Sequence, residues 1–361
     1  MRTLNRSGFR AADRFRQRAL VALLGLSLLP AAAAAEELDV VQYNVQFVAP
    51  WDFSRASLGH RPNTEERAHA IGRALACFDI VALNETINDS RRREILEAME
   101  LAAQGCGKAP RFEGERHFEI FAGPKLPPGE NRLGSLAGLA DFAASEVPLA
   151  AVDDELALIS RLPVVARNTH VFGIGRGTDA LAAKGVLHAR LLRDGPPGGA
   201  LDVFATHLQA NHPDIRRVQI AELAGFIRAK ADPDLPALLL GDFNVDGGFA
   251  ARWKAEGEYR NLMRELTALG FQDPGLILGG TDSWRRRRID HIFLRPRGLQ
   301  PLELRIEGMR GPDGVALSDH AAVVARLRWP GPETPVPSGF GDFRKPPADK
   351  GPLTPVELRE R

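Results

Sequence analysis

The alternation of apolar and polar residues predicts a chain built mainly from short β-strands with a few helices between them. Period-two alternation and β-branched residues indicate ten strands, near Leu38–Val45, Asp79–Leu83, Leu156–Ser160, Val164–Val171, Gly185–Leu192, Leu201–Thr206, Ala237–Leu240, Arg288–Leu294, Glu303–Ile306 and Ala321–Arg328. Helical spacing indicates four helices, at Thr64–Ala76, Arg91–Ala103, Pro213–Ala229 and about Glu256–Leu269. Asn63 is expected to cap the first helix, with Glu66 as its partner. Many strands with few intervening helices predict a mixed α/β sandwich rather than strict βαβ alternation.

The two ends of the chain differ in composition from the middle. Residues 1–35 combine an arginine-rich start, an apolar run from Ala19 to Leu29 and an Ala-Ala-Ala end, which is the layout of a secretory signal peptide. A retained membrane anchor is the alternative, although the apolar run is short for a membrane span. Eight prolines between residues 330 and 361 predict an extended tail outside the core. The folded unit is therefore predicted at residues 37–330, with a Pro-rich tail at 331–361 and a periplasmic or secreted location.

Net charge argues only mildly against nucleic acid as the main partner. The whole chain has a formal net charge of +1. Without residues 1–35, Lys+Arg falls from 47 to 41 and Asp+Glu from 46 to 45, which leaves a charge near −4. Proteins whose main partner is DNA or RNA usually carry a positive surplus.

The only two cysteines, Cys77 and Cys106, follow two consecutive predicted helices. In an oxidising compartment such a pair is expected to form a disulfide, and two buried thiols are the alternative. A metal site at either cysteine is not favoured, because neither has a cysteine or histidine beside it at ligand spacing.

Polar residues occupy the ends or edges of several strands that are otherwise apolar. These residues are Asn44, Glu85, His207, Asp242, Asn244, Asp290, His291, Asp319 and His320. One buried polar residue usually means a satisfied hydrogen bond in the core. A set so rich in Asp, Glu, Asn and His indicates a shared functional site.

The stretch LLLGDFNVDG, at residues 238–247, has two interpretations. Asp242 and Asn244 share one face if the strand continues through them, because side chains alternate with period two. Gly, Asp and Asn are also the usual residues of turns. Because other strands of this chain also end on polar residues, we favour a functional site at this position.

These residue types suit phosphoester hydrolysis assisted by a metal ion. Glu85 and Asn44 offer hard oxygen ligands, which suit Mg²⁺ or Ca²⁺. Such an ion would bind a phosphoryl oxygen and neutralise charge in the transition state. A histidine backed by an aspartate can act as a general acid or base, because the carboxylate fixes its tautomer.

The ordered set Asn44, LNET, THLQA, GDFN, IDHIF and LSDH resembles the endonuclease/exonuclease/phosphatase superfamily over residues 38–328. The resemblance implies a four-layer α-β-β-α sandwich with two central, mostly antiparallel sheets and the active site at their common edge. It also implies a divalent cation, Mg²⁺ first, with Mn²⁺, Co²⁺ or Ca²⁺ as alternatives.

Carried over motif by motif, the resemblance assigns a role to each residue. Glu85 would be the main metal ligand, with Asn44 beside it and Asp319 on the metal side. His207 would donate to the phosphate, and Asn244 would bind it. Asp242 would position or activate the attacking water. His320 would act as acid or base, oriented by Asp290.

Further stretches resemble secreted bacterial neutral sphingomyelinases of the phospholipase C type. They are THLQA followed by IRRVQ, LALISRLPV, DALAAKGVLHARL and GDFNVD. This resemblance implies a phospholipid or other phosphodiester as substrate, with peripheral contact to a membrane. A nuclease, a phosphatase on sugar or inositol phosphates, and an inactive binding variant remain alternatives. The oligomeric state does not follow from the sequence.

Other residues near these motifs have plainer interpretations. His291 should point away from Asp290 on a strand, and we interpret it as structural. Trp284 could stack on a quaternary ammonium such as choline, although a packed aromatic is the simpler expectation. Lys184 and Asp179 lie in the sphingomyelinase-like stretch without an assigned role. Residues 296–320 hold no aromatic residue that could insert into a bilayer, which argues against attack on membranes as a toxin.

Overall fold

The computed structural model describes residues between Glu36 and Trp329, with gaps. The described residues are 36–47, 64–86, 89–125, 155–180, 182–193, 199–248, 257–278 and 287–329. The predicted signal peptide and Pro-rich tail lie outside these residues, as does most of the long stretch from Gly123 to Val152 that reads as a loop in the sequence.

Eleven strands of the described residues form two mixed sheets. The strands are β1 (Glu36–Phe47), β2 (Ile80–Thr86), β3 (Glu119–Gly123), β4 (Leu156–Ser160), β5 (Val164–Val171), β6 (Gly185–Leu192), β7 (Ala200–His207), β8 (Ala237–Asp242), β9 (Asp290–Arg295), β10 (Gln300–Glu307) and β11 (Ala322–Trp329). One sheet has the order β10-β11-β1-β2-β4-β3 and the other β5-β6-β7-β8-β9. Only β1 with β2 and β7 with β8 pair in parallel; the other neighbours are antiparallel.

Helices cover the outer face of each sheet. They are α1 (Glu65–Leu75) and α2 (Asp89–Ala103) on the first sheet, and α3 (Pro213–Lys230) and α4 (Glu258–Ala268) on the second. A short helix, α5 (Gly275–Leu278), follows α4 in the chain. Helix α1 connects the parallel strands β1 and β2, and α3 connects β7 and β8. This placement follows from the parallel pairs, since such strands need a crossover connection between them.

Three apolar clusters separate four layers. One lies between the two sheets and contains Leu38, Leu158, Leu238 and Ile292. A second packs α1 and α2 onto the first sheet, and a third packs α3 and α4 onto the second. This order of helix, sheet, sheet and helix confirms the predicted four-layer sandwich with two mostly antiparallel sheets.

The sequence pattern misses β3 and places one helix cap a residue too early. Residues Glu119–Gly123 form an edge strand whose first four residues are all half-buried, so its sequence lacks clear alternation. Thr64 caps α1, and its side-chain oxygen accepts a hydrogen bond from the Arg67 amide at 3.2 Å. The cap predicted at Asn63 is therefore wrong, because Thr64 stands three residues before that amide and can reach it.

A disulfide joins Cys77 to Cys106, with 5.3 Å between their Cα atoms. It connects the chain just after α1 to the turn that follows α2. The predicted pairing is therefore present in the structure. Among the described residues, no helix is both long enough and apolar enough to cross a bilayer.

Candidate active site

The polar strand ends predicted from the sequence meet at one edge of the sandwich. In the first sheet Asn44 stands opposite Asn84 in the parallel pair of β1 and β2. In the second sheet His207 stands opposite Asp242 in the parallel pair of β7 and β8. The Asn84 amide nitrogen donates to the Thr206 carbonyl at 3.0 Å, which ties the two edges together.

Glu85, His207 and Asp242 bring one ligand atom each within 4.8 Å of one another. Asn44 joins them, because its amide nitrogen donates to Glu85 Oε1 at 2.8 Å and to Asp242 Oδ2 at 3.1 Å. The Asn44 oxygen accepts from the Gln46 amide at 3.1 Å. In this arrangement Asn44 orients two carboxylates, and its predicted role as a metal ligand stays a prediction.

The glycine of the LLLGDFN stretch allows the second sheet to close at this edge. A Cβ on Gly241 would lie 2.1 Å from the Thr206 carbonyl oxygen of the neighbouring strand. Any larger residue would push β7 and β8 apart beside His207 and Asp242. Glycine is therefore required by the close approach of two backbones.

Asp242 and Asn244 form a turn and share the site, so both interpretations of this stretch apply. Strand β8 ends at Asp242, and the Asn244 amide donates to Asp242 Oδ1 at 2.9 Å. Asn244 has a left-handed φ of 51°, which turns its side chain back towards the strand end. Its amide nitrogen lies 3.3 Å from His207 Nε2 and donates to the Leu208 carbonyl at 3.0 Å.

A second cluster of Asp242, Asp290 and His320 adjoins the first through Asp242. His320 Nδ1 lies 2.8 Å from Asp290 Oδ2, and His320 Nε2 lies 3.9 Å from Asp242 Oδ2. Asp290 begins β9 directly opposite Asp242, and His320 precedes β11. The carboxylate behind Nδ1 therefore leaves Nε2 facing the centre of the site.

The carboxylates around His320 make it a cation in the metal-free protein. Burial by itself would lower the pKa of His320. The Asp290 carboxylate outweighs burial by charge and by hydrogen bonding, with Asp242 and Glu85 adding to the effect, and raises the pKa to about 10. Opposite charges at this distance favour the charged form of a buried group.

His291, the neighbour of Asp290 in sequence, belongs to the helix-covered face. Its Nε2 lies 2.9 Å from the Val245 carbonyl, and its ring stacks on Phe293. Burial, assisted by the nearby Arg288 charge, lowers the pKa of His291 to about 4. The structural role predicted for His291 agrees with this position.

Three residues without a predicted role extend the site beyond His207. Lys184 is buried, and its Nζ lies 2.8 Å from His207 Nε2 and donates to the Leu208 carbonyl at 3.1 Å. Glu155 Oε1 lies 2.6 Å from His207 Nδ1, and Asp179 Oδ1 lies 3.5 Å from Lys184 Nζ. Burial lowers the pKa of Lys184, but Asp179 and Glu155 outweigh it, and the net pKa is raised.

Lys184 also decides the tautomer of a neutral His207. An ammonium group can only donate, so His207 Nε2 accepts from Lys184. The proton of the neutral ring then sits on Nδ1, the nitrogen that faces Glu155. Glu155 could have been found from the sequence, because it is an acidic residue directly before the apolar strand LALIS.

Asp319 does not belong to either cluster of metal-ligating groups in the described part of the chain. It is half-buried, and its Oδ1 lies 3.5 Å from the Ser318 hydroxyl. Its predicted place on the metal side stays a prediction. Trp284 lies outside the described residues, and Arg288, four positions later, is paired with the buried Asp273 carboxylate.

The donor set of the first cluster fits a hard divalent cation. It consists of two carboxylates and an imidazole, and it includes no thiolate. Burial raises the pKa of Glu85, although His207, His320 and Asn44 act in the opposite direction. A cation beside Glu85 would stabilise the ionised carboxylate and offset the free-energy cost of burying its charge.

A model of the Endonuclease/Exonuclease/phosphatase family matches residues 41–320 of the chain. The chain belongs to this family. The match runs from β1 to His320 and includes every residue of the two clusters.

Curated relatives of this family member include sphingomyelinases. Sphingomyelinase C of Bacillus cereus is 30% identical over 125 residues, which are 32% of this chain and 36% of that protein. Sphingomyelinase C of Listeria ivanovii is 30% identical over 141 residues, which are 37% of this chain and 38% of that protein. The matched region thus spans little more than a third of these relatives.

Solved structures of similar proteins share the fold over most of the chain. The crystal structure of SmcL has a TM-score of 0.56 at 20% identity and covers 80% of this chain and 98% of its own. A Staphylococcus aureus beta toxin mutant with bound magnesium ions has a TM-score of 0.53 at 19% identity and covers 80% and 99%. At these identities the likeness concerns the fold.

Proposed function

We propose that this protein is an exported, Mg²⁺-dependent phosphodiesterase that releases a phospholipid headgroup, converting sphingomyelin into ceramide and phosphocholine. One observation carries the proposal: the Asp290–His320 pair and the Glu85–His207 pair face each other across the same carboxylate, Asp242. An acid–base group and a cation site thus meet where one phosphate could contact both. The sphingomyelinase relatives support the choice of substrate.

Glu85 would hold the cation, with His207 and Asp242 within reach on the same side. When bound there, Mg²⁺ would neutralise negative charge on a phosphoryl oxygen during hydrolysis. Mn²⁺, Co²⁺ and Ca²⁺ also accept oxygen ligands and are alternatives. Asn44 would keep the two carboxylates apart and aligned, because its amide nitrogen donates to both.

The phosphate would lie beside His207, Asn244 and Lys184. Lys184 Nζ lies 2.8 Å and the Asn244 amide nitrogen 3.3 Å from His207 Nε2, and both groups carry N–H bonds that could turn to a phosphate oxygen. His207 would donate from Nε2 as an imidazolium, because Glu155 outweighs burial and raises the pKa of His207. Lys184 adds a positive charge in a buried position, where its attraction for an anion is weakly screened. Asp242 would orient the attacking water and accept its proton.

His320 would donate a proton to the leaving oxygen. Its Nδ1 is held by Asp290, so Nε2 is the nitrogen that faces the site. The raised pKa of His320, about 10, keeps the ring protonated at neutral pH before substrate binds. In the attack on a phosphodiester, the proton on Nε2 is then available to the oxygen that departs.

The proposal includes export and a membrane surface as the place of action. Residues 1–35 would be removed as a signal peptide, residues 37–330 would form the catalytic domain, and 331–361 would remain a tail. A phospholipid substrate requires peripheral contact with a membrane. Residues 310–316 form a short turn closed by a bridge between Arg310 and Ala316, and they include no aromatic residue.

The test compares phosphocholine release from sphingomyelin and phosphatidylcholine vesicles with nicking of plasmid DNA, using residues 36–361 with Mg²⁺ or EDTA. His320→Ala should abolish the metal-dependent release. His188→Ala is the matched control, because His188 is also buried and lies 2.9 Å from a carboxylate, Asp202, outside both clusters. Nicking without headgroup release would overturn the lipid substrate, and unchanged release by His320→Ala would overturn the role of His320.

A further inference from the structure

A buried arginine outside the site holds two of the segments that carry site residues. Arg67 lies on α1 and is only 7% exposed. Its Nη1 donates to the Val45 carbonyl at 2.6 Å and to the Leu317 carbonyl at 2.8 Å. Its Nη2 donates to the Gln46 carbonyl at 3.0 Å. One guanidinium therefore bonds to the chain directly after Asn44 and to the chain shortly before His320.

The geometry of Arg67 is well defined on every side. Its guanidinium carbon lies 3.7 Å from the centre of the Phe47 ring, a cation–π contact that fixes the plane of the group. The Thr64 cap bonds to its backbone amide and holds the start of α1 at this place. A planar group with several donors can bind three carbonyls at once, which an ammonium cannot do with the same directions.

The segments that Arg67 joins have backbone conformations that need support. Gln46 has a left-handed φ of 53°, and the pairing of β1 with β2 shifts between Asn44 and Phe47. The Ser318 hydroxyl donates to the Asn44 carbonyl at 2.6 Å and accepts from the His320 amide at 3.2 Å. The two segments are thus connected directly by Ser318 and indirectly by Arg67.

We propose that Arg67 is a positioning residue: it sets the distance between the metal side of the site, at Asn44, and the acid–base side, at His320. Both segments end a strand or precede one, so their backbones are not fixed by sheet pairing alone. Misplacement of a reacting group by about 1 Å can cost about 100-fold in rate. We therefore expect that loss of the link between the two sides lowers kcat more than it changes KM.

Arg295 provides a matched control at the far end of the second sheet. It is 6% exposed, it donates to the Leu235 and Asp232 carbonyls, and its guanidinium lies over the Phe271 ring. It ends β9, the strand that begins at Asp290, and so lies a full strand away from the site. If only the loss of a buried arginine mattered, substitutions at Arg67 and at Arg295 should lower stability and activity to the same extent.

The experiment compares Arg67→Lys with Arg295→Lys by melting temperature, by kcat and KM on bis(4-nitrophenyl) phosphate with Mg²⁺, and by hydrogen exchange. Arg67→Lys is expected to lower kcat about tenfold or more with little change in KM. It should also speed exchange in residues 44–47 and 317–320. Arg295→Lys, at a comparable loss of melting temperature, should leave both readouts as in the wild type.

Equal losses of kcat in the two variants, or unchanged kcat and exchange in Arg67→Lys, would overturn the proposal. If Arg67→Lys does not fold, Ser318→Ala tests the same connection and should show the same pattern. The activity arm rests on the proposed function. If the wild type hydrolyses no phosphodiester, that function fails, and the exchange arm alone decides whether Arg67 holds the two segments.

Discussion

The pair of Asp290 and His320 gives the sharpest quantitative prediction. The perturbation is Asp290→Asn, which removes the negative charge behind His320 and keeps a side chain of the same shape with an oxygen acceptor. The two groups are 2.8 Å apart, and both side chains are buried. The change should therefore lower the pKa of His320 in the metal-free protein.

The expected size follows from the environment of the ring. The pKa of His320 is raised from 6.5 to about 10, which corresponds to about 5 kcal/mol in favour of the protonated ring at 1.36 kcal/mol for each pH unit. Burial lowers the pKa of His320, Asp290 is the largest of the contributions that raise it, and Asp242 and Glu85 remain in the variant. An opposite charge at close range shifts a pKa by about 1 to 3 pH units, and we expect a fall in that range.

The direct assay is an NMR titration of the histidine Cε1 protons in EDTA, with His320→Gln to assign the signal. Stability provides a second readout. Because folding raises this pKa, protonation of His320 stabilises the folded state fully below pH 6.5, and this stabilisation is lost as the pH rises through about 10. Asp290→Asn should make the free energy of unfolding depend less on pH over this range. With Mg²⁺ present, the same variant should lower kcat about 100-fold or more.

The matched control is Asp202→Asn, because Asp202 accepts from a buried histidine, His188, at 2.9 Å away from the site. It should leave the titration of His320 unchanged. A wild-type pKa near 6.5, or a pKa unaffected by Asp290→Asn, would show that the Asp290 charge does not hold His320 in its protonated form. If Asp202→Asn lowered the pKa of His320 as much as Asp290→Asn does, the effect of Asp290 would not be local.

Further predictions concern the cation, the phosphate and the disulfide. Glu85→Gln should weaken Mg²⁺ binding in titration calorimetry about tenfold or more, because it removes an anionic ligand from the cluster of Glu85, His207 and Asp242. Lys184→Met should lower kcat/KM about 100-fold while far-UV circular dichroism stays unchanged, since the residue lies 2.8 Å from His207. Cys77→Ser with Cys106→Ser should reduce the unfolding free energy in urea by about 2–4 kcal/mol and leave kcat unchanged.

The layers of the fold could be predicted because the apolar pattern repeats along each strand. Predicted strands such as Leu156–Ser160, Val164–Val171 and Gly185–Leu192 coincide with β4, β5 and β6. The residues of β4 and β6 are almost all buried, and those of β5 mostly alternate between half-buried and exposed. A periodic pattern in the sequence records such differences in burial. The short edge strand β3 is not predicted, because its first four residues are all half-buried and produce no alternation.

Most of the site could be located because strands end there on polar residues. His207 and Asp242 each follow a run of buried apolar residues, and such a stop is visible in a single sequence. The contact between Asp290 and His320 was suggested by family resemblance, since the two residues are 30 positions apart and no local pattern joins them. Arg67 was not foreseen, because it looks like an ordinary residue of an amphipathic helix.

Glu155 and Lys184, two site residues without a role assigned from the sequence, follow one rule of sheet geometry. In each sheet a single parallel pair, β1 with β2 and β7 with β8, sends two strand ends to the same edge. An antiparallel neighbour of such a pair must begin at that edge. Strand β4 is antiparallel to β2 and begins directly after Glu155, and β6 is antiparallel to β7 and begins directly after Lys184. Polar residues that directly precede an antiparallel strand therefore reach the site, as do polar residues that directly follow a parallel strand. This is why a buried lysine and a buried glutamate flank His207.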